Sequence, residues 1–478
     1  MSLRINLNNA ALLSSRSLRS NDDNVTRSIE RLSSGYKINR AADNPAGLAI
    51  SEALRAQIGG LKQAVANTQD AVNMVKTAEG ALAEVHNLLR SMRELGVHAL
   101  NTGAIDSTQL NADQAQIASA LEALNRISST TAFAGKKLLD GSAGFSSTVT
   151  NGTSTGTNYF VSASSTAKSS GGTAYTITID TAATQRTVTG VGAYTAETGS
   201  VTINNVAITL DSAVHTTAAL AVDRINEFKD ETGVVADLSG GFVRLTTQAY
   251  GSDAAATLAY GGDVDATSLF GGAPTVAAGQ DVVASFTGGP AGGDVASITG
   301  KGRVWAGAGD LSGAQFFLGG TAGTVIADIT NNALTFQVGA NVNQTAGVAI
   351  QSTHTTRLGL GAEGLEAQGT VTPTNLSQID VRTEAGARNA VKLIDQAISQ
   401  ISTIRGDLGA VQKNVFESAI SSLSIAIENL AASESSIRDA DMATEIAEFS
   451  KNQILMQSSV AMLAQANQAP QALLQLLR

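Results

Sequence analysis

Four histidines, His86, His98, His215 and His354, are the side chains best suited to metal or proton chemistry in a chain that has no cysteine. None stands in a His-Glu-x-x-His arrangement, the spacing that sets two imidazoles and a general base on one helical face. His86 and His98 fall in a stretch of strong helical periodicity, where a seam or surface position accounts for them. Without a thiol there is no cysteine nucleophile, no disulfide framework and no thiolate metal site. The glycine pairs Gly240-Gly241, Gly261-Gly262 and Gly319-Gly320 do not open a helix after a strand with Lys-Ser or Lys-Thr, so they read as turns rather than phosphate loops. The reading is therefore of a chain that is not an enzyme, with no catalytic, cofactor-binding or metal residues.

The strongest signal is helical. Between Asn44 and Leu100, apolar residues at Leu54, Ile58, Leu61, Val65, Val72, Val75, Leu82, Val85, Leu89 and Met92 recur in steps that build from threes and fours, with Thr68 tolerated in the row. That spacing buries one narrow seam against another helix. Asp43, Asn44 and Pro45 signal its start, since a side-chain oxygen can serve orphan amides and proline suits the first turn. A weaker seam runs through Ala11, Leu18, Val25 and Leu32 at strict sevens. Asp106 offers an N-cap to a helix carrying Leu110, Ile117, Leu121, Leu124 and Ile127, which should fold back antiparallel. From Thr383 the texture returns with Ile394, Ile398, Ile401 and Leu408, continues through Leu423, Ile427, Leu430 and Ile437, and closes with Met442, Ile446, Phe449, Val460 and Leu463.

The middle differs. From Ala134 to about Ala333 it is rich in Gly, Ser, Thr and Ala, with short alternating runs. Val201 and Ile203, then Val206, Ile208 and Leu210, flank Asn204-Asn205, residues that tolerate positive φ in a tight hairpin. A helix from Val214 to Phe228 and a second hairpin, Val234 to Leu238 and Phe242 to Thr246, follow. The fold class is an α+β multidomain chain: a long antiparallel α-helical coiled-coil or bundle stalk built from both termini, with a mainly β central insert.

Composition narrows the partners. The 478 residues include 5 prolines and 1 tryptophan against 47 glycines, and a net charge of -10 disfavours nucleic acid or an anionic membrane surface. The first twenty residues lack the apolar core of a secretory signal, and no later window reads as apolar for the length of a bilayer span. The termini nevertheless carry as much apolar periodicity as the interior, including Leu3, Ile5, Leu7, Leu12 and Leu13. Ends built this way expect burial, in cis or by copies of the same chain.

Leu32-Ser33-Ser34-Gly35-Tyr36-Lys37-Ile38-Asn39, with Ala41-Ala42-Asp43-Asn44-Pro45-Ala46-Gly47-Leu48-Ala49-Ile50, resembles the N-terminal signature of bacterial flagellins. Arg438-Asp439-Ala440-Asp441-Met442-Ala443, Gln453-Ile454-Leu455 and Ala464-Gln465-Ala466-Asn467 resemble the C-terminal one. The likeness covers about the first and last 145 residues. Phe336 to Asn341 also looks like the family strand that returns to the stalk and pairs with a hairpin around Gly135 to Leu139.

This resemblance implies an extracellular filament subunit for motility, exported through the flagellum's own channel without a cleaved signal peptide. It implies three regions: an inner terminal domain (1–43 with 433–478) that is disordered in the monomer, a helical wall domain with a β-hairpin (44–145 with 333–432), and outer β-rich domains (146–332). The last include a hairpin-helix-hairpin module at about 199–255. Leu18, Val25, Leu32, Met442, Ile446, Phe449, Val460 and Leu463 are assigned to inner assembly contacts. The Leu54 to Met92 seam with Ile394, Ile398, Ile401 and Leu408 is assigned to the wall bundle. Partners so implied are further copies of the chain, a flagellar secretion chaperone, and cap and junction proteins. Leu89, Arg93, Glu94 and Leu95 match the segment bound by a Toll-like innate-immune receptor. Ser91 stands where that pattern has arginine and Gln116 where it has glutamate, so weak or absent recognition is expected. Two alternatives stay open at this point: a hook-filament junction protein, and a flagellin whose outer domain also binds glycans or surfaces.

Overall fold

The computed structural model describes residues 8–101, 103–163, 168–171, 174–288, 295–366 and 372–476; Leu3, Ile5 and Leu7 lie outside them. The chain forms two compact units. One comprises Met1–Asp70, Gln337–Thr345 and Phe416–Arg478; the other comprises Ala71–Phe336 and Ala346–Val415. Residues 44–70 and 416–432, assigned from sequence to the wall domain, thus group with the terminal helices.

The terminal unit is helical. Asn9–Ser34 forms one uninterrupted helix despite its Asn-Asp-Asp-Asn run, and it packs along the final helix Met442–Leu476. Ser418–Arg438 precedes it. The long helix Pro45–Ala99 begins in this unit where its sequence signals it, with the Asn44 side chain accepting from Gly47 N–H at 2.9 Å. Thr68 sits in the apolar row fully buried because its hydroxyl donates to the carbonyl of Ala64 at 2.7 Å. The run Glu384–Arg438 corrects one expectation: by length and composition it contains a window apolar enough to cross a membrane, and only 6% of that window is buried.

In the second unit the expected seam is a core. Val72, Val75, Leu82, Val85, Leu89 and Met92 are buried together with Ile117 and Leu124 of the helix Ser107–Thr130 and Ile394, Ile401 and Leu408 of Glu384–Val411. Asp106 caps the second of these helices through Gln109 N–H, and Thr383 caps the third through Gly386 N–H.

The insert holds two hydrophobic cores. A five-stranded antiparallel sheet, in the order Val295–Thr299, Val283–Thr287, Tyr175–Thr181, Gly323–Asn331 and Phe145–Asn151, shares one core with the sheet Val304–Ala306, Ala314–Leu318 and Asn158–Ala163. Trp305, Tyr175, Phe286 and Phe316 fill it. The second core lies around the expected hairpin-helix-hairpin module, which proves larger than 199–255. Its first hairpin, turning on Asn204 and Asn205 with φ of 48° and 69°, pairs outward with Leu258–Gly262. Its second, Val234–Ser239 with Phe242–Tyr250, is extended by Gln185–Thr189 and Thr275–Ala277. The helix between them is Ala218–Asn226, shorter than the expected span because Thr217 caps it.

A second correction concerns the strand near Phe336. Leu334–Gln337 pairs with Thr345–Val348, whereas Lys136–Lys137 pairs with Ala132–Phe133. A four-residue strand carries too few side chains to specify a distant partner over a local one.

Candidate assembly interface

The two terminal signatures meet in the terminal unit. Gly35 ends the first helix in the left-handed region at φ 75°, its N–H bonded to the Arg31 carbonyl at 2.8 Å. The reversal lets Lys37 N–H donate to the Arg438 carbonyl at 2.7 Å and Ala440 N–H to the Gly35 carbonyl at 2.9 Å. Arg438 lies over the Tyr36 ring at 4.7 Å and pairs with Glu52 at 2.9 Å. Asp43 closes the connector by accepting from the N–H groups of Asn39 and Arg40. These bonds, that from Arg40 foremost, hold its carboxyl below the usual range. Gly47 has no room for a side chain, since a Cβ there would stand 2.7 Å from Asn44 Nδ2 and 2.9 Å from Ile38 Cδ1. Each signature residue named here shapes one corner. Sequence reasoning placed both motifs but missed the Tyr36, Arg438 and Glu52 contact; the chemical types inside the two signatures were the available clue.

Beyond the corner the terminal helices are stitched by polar groups. Asn21 Nδ2 donates to Ser459 Oγ at 2.7 Å, Asn8 Nδ2 to the Ala466 carbonyl at 2.8 Å, and Arg31 pairs with the buried Glu445 at 3.6 Å. Of the residues assigned to inner contacts, Val25 is buried and Leu18, Leu32, Phe449 and Leu463 are half-buried. Met442, Ile446 and Val460 are 44%, 53% and 51% exposed, joined in exposure by Leu12, Leu13, Ile29, Ile454 and Met462. Ser418–Arg438 has no buried residue at all. So many large apolar groups left in water on adjacent helices mark a surface built to be covered.

The wall-bundle residues divide by unit. Leu61 is buried in the terminal unit, where Leu54, Ile58 and Val65 are half-buried. In the second unit all those assigned are buried except Ile398, which is half-buried. Leu89 is fully buried, so it cannot serve as an exposed epitope residue in this fold. Arg93 and Glu94 are exposed and Leu95 half-buried. Arg93 forks onto Asp395, with Nε 2.6 Å from one carboxylate oxygen and Nη2 3.4 Å from the other. His98 Nδ1 lies 2.7 Å from buried Asp113. Among the described residues no cluster of His, Asp or Glu is arranged to hold a metal ion.

Residues 5–144 match the model of the bacterial flagellin N-terminal helical region and residues 391–477 that of the C-terminal helical region. A flagellin of Clostridium tyrobutyricum is 33% identical over 98% of this chain and the whole of its own length. One of Bacillus subtilis is 32% identical over the full length of both. A solved structure of FliC from Burkholderia pseudomallei is 20% identical and covers 71% of this chain and 98% of its own. Its TM-score is 0.25, too low to bear on the fold. With relatives matched from end to end and both signatures closing a single corner, the chain belongs to the flagellin family and is a structural subunit of the extracellular flagellar filament.

Proposed function

We propose that the terminal unit is the part of the subunit that assembly completes. The carrying observation is the band of exposed apolar side chains on Met442–Leu476, with the unburied helix Ser418–Arg438 before it. Met442, Ile446 and Val460, with Leu18, Val25, Leu32, Phe449 and Leu463, form the inner contacts between copies. The inner region, 1–43 with 433–478, is poorly ordered in the free chain and orders as neighbouring copies cover it, so the burial of its apolar residues offsets the ordering entropy. Contacts that repeat head to tail without closing give a helical polymer.

On this reading the same C-terminal apolar face is what a secretion chaperone covers before export, and export uses no cleaved signal. Cap and junction proteins meet the subunit through the same terminal unit. The helical core from Val72 to Met92 with Ile394, Ile401 and Leu408 forms the wall. The chain performs no catalysis. Recognition by the innate-immune receptor is weak: Leu89 is buried, Arg93 is already paired with Asp395, and Ser91 and Gln116 lack the charges of the full pattern.

Truncation before Asp441 tests the central claim. The shortened chain is expected to stay soluble with its wall and β regions folded, and to form no filaments on electron micrographs. Filaments from the truncated chain would refute the assignment.

A further inference from the structure

A cleft of about 750 Å3 opens in the second unit, between the helix Glu384–Val411, the segment from Gln351 to Leu358 and the strands Asn158–Ala163 and Ala314–Leu318. That volume suits a small ligand of one or a few sugar rings. Its lining is mainly amide and hydroxyl groups, among them Gln315, Gln351 and Ser399, with Phe145 and Phe160 of the neighbouring core also on it.

Arg357 stands on this lining. Among the described residues its side chain makes one long hydrogen bond, from Nη1 to the Phe160 carbonyl at 3.5 Å. No carboxylate lies within ion-pair distance of it among the described residues. Burial is the cause that lowers its pKa. A half-buried guanidinium without a counter-charge is costly to keep, and it leaves most of a planar donor fork unused. The two carboxylates on the lining do not answer it. Asp140 accepts from Ser142 N–H and Oγ within its own loop, and Asp407 is exposed on the helix. Among the described residues the lining has no lysine, and its other basic group, His354, has Nδ1 3.1 Å from Thr356 Oγ1.

We propose that this cleft binds an acidic sugar, its carboxylate held by the Arg357 fork and its hydroxyls by Gln315, Gln351 and Ser399. A single fork matches a carboxylate in two parallel hydrogen bonds. A phosphate monoester fits less well, because its dianion would meet one guanidinium and the His354 imidazole against two carboxylates on the same lining. Neutral sugars would satisfy the amides but leave the guanidinium unpaired. Only the availability of such a ligand depends on the extracellular reading.

The test is saturation-transfer NMR and calorimetric titration of the full-length chain with glucuronate, glucose and a tetra-uronate. Glucuronate is expected to bind and glucose at least about tenfold more weakly. Tighter binding of the tetra-uronate assigns the site to polysaccharide ends, and equal binding assigns it to the free acid. Arg357→Gln should lose about tenfold in glucuronate affinity and Arg357→Lys less, since an ammonium keeps the charge without the fork. Should Arg357→Gln misfold by circular dichroism, Gln351→Ala supplies the same test with an expected several-fold loss. Glucose binding as tightly as glucuronate, no binding of either acid at millimolar concentration, or unchanged affinity in a folded variant overturns the proposal. Electron micrographs of the same samples keep the two claims apart: filaments without uronate binding overturn the cleft alone.

Discussion

The two units spend similar helical sequence in opposite ways. In the second unit Leu82, Val85, Leu89 and Met92 are wholly buried, as are Ile117, Leu124, Ile394 and Ile401 on the other helices of the unit. In the terminal unit Met442, Ile446 and Val460 fall on one helical face, at steps of four and fourteen residues, and stay in water. Both patterns read as seams in the sequence. The difference is whether the chain itself supplies the facing surface, and on the proposed reading it separates a self-sufficient core from one that further copies complete.

That contrast can be broken most sharply by paired alanine substitutions. Leu82→Ala removes a fully buried side chain and should destabilise the monomer by about 2–5 kcal/mol in chemical denaturation. A loss below about 1 kcal/mol would mean that the second unit is packed no better than the first. Ile446→Ala should leave monomer stability within about 0.5 kcal/mol. It should nevertheless raise the critical concentration for polymerisation roughly tenfold, the effect of losing one apolar side chain that is buried only on assembly. If it lowers monomer stability and spares assembly, the exposed band is not an interface.

The smallest effect sharpens the picture of the second unit. Glu363 is half-buried beside Tyr250 and Arg303. Burial raises its carboxyl pKa, opposed by the Tyr250 N–H bond and the Arg303 charge. An acid with a raised folded pKa contributes its full stability below the ordinary glutamate range and loses it as pH rises through the folded value. Glu363→Gln keeps an acceptor for the Tyr250 N–H without the charge. Its melting temperature should therefore exceed the parent's slightly at neutral pH, with the gap closing as pH falls toward 4. A gap that widens on acidification would show that the carboxylate is stabilised in the fold.

The helices were legible because each depends on local spacing and caps. Asn44 and Asp106 mark two starts with side-chain oxygens that accept helix amides as expected, and Thr383, where the helical texture returns, caps the third. The hairpin at Asn204-Asn205 was legible for the same reason, since positive φ at both residues is a local demand. Readings that needed a partner fared worse. Periodicity puts Leu89 in the buried seam, where the fold also has it, whereas the receptor segment came from the resemblance; neither could tell that Leu334–Gln337 pairs with Thr345–Val348. The cleft was invisible for the same reason: Phe160, Gln315, Arg357 and Gln396 come from four separate segments, and only the folded chain brings them together.

The corner at Gly35 has a consequence in time. Its two strands of contact join residues 386 positions apart, from Arg438 to Glu52, and the helix pair beyond joins Asn8 to Ala466 across 458. Contacts of that separation form last in a chain delivered end first, whichever end leads. A molecule lacking either end can complete neither the corner nor the helix pair, so a unit closed by both termini records that the polypeptide is whole.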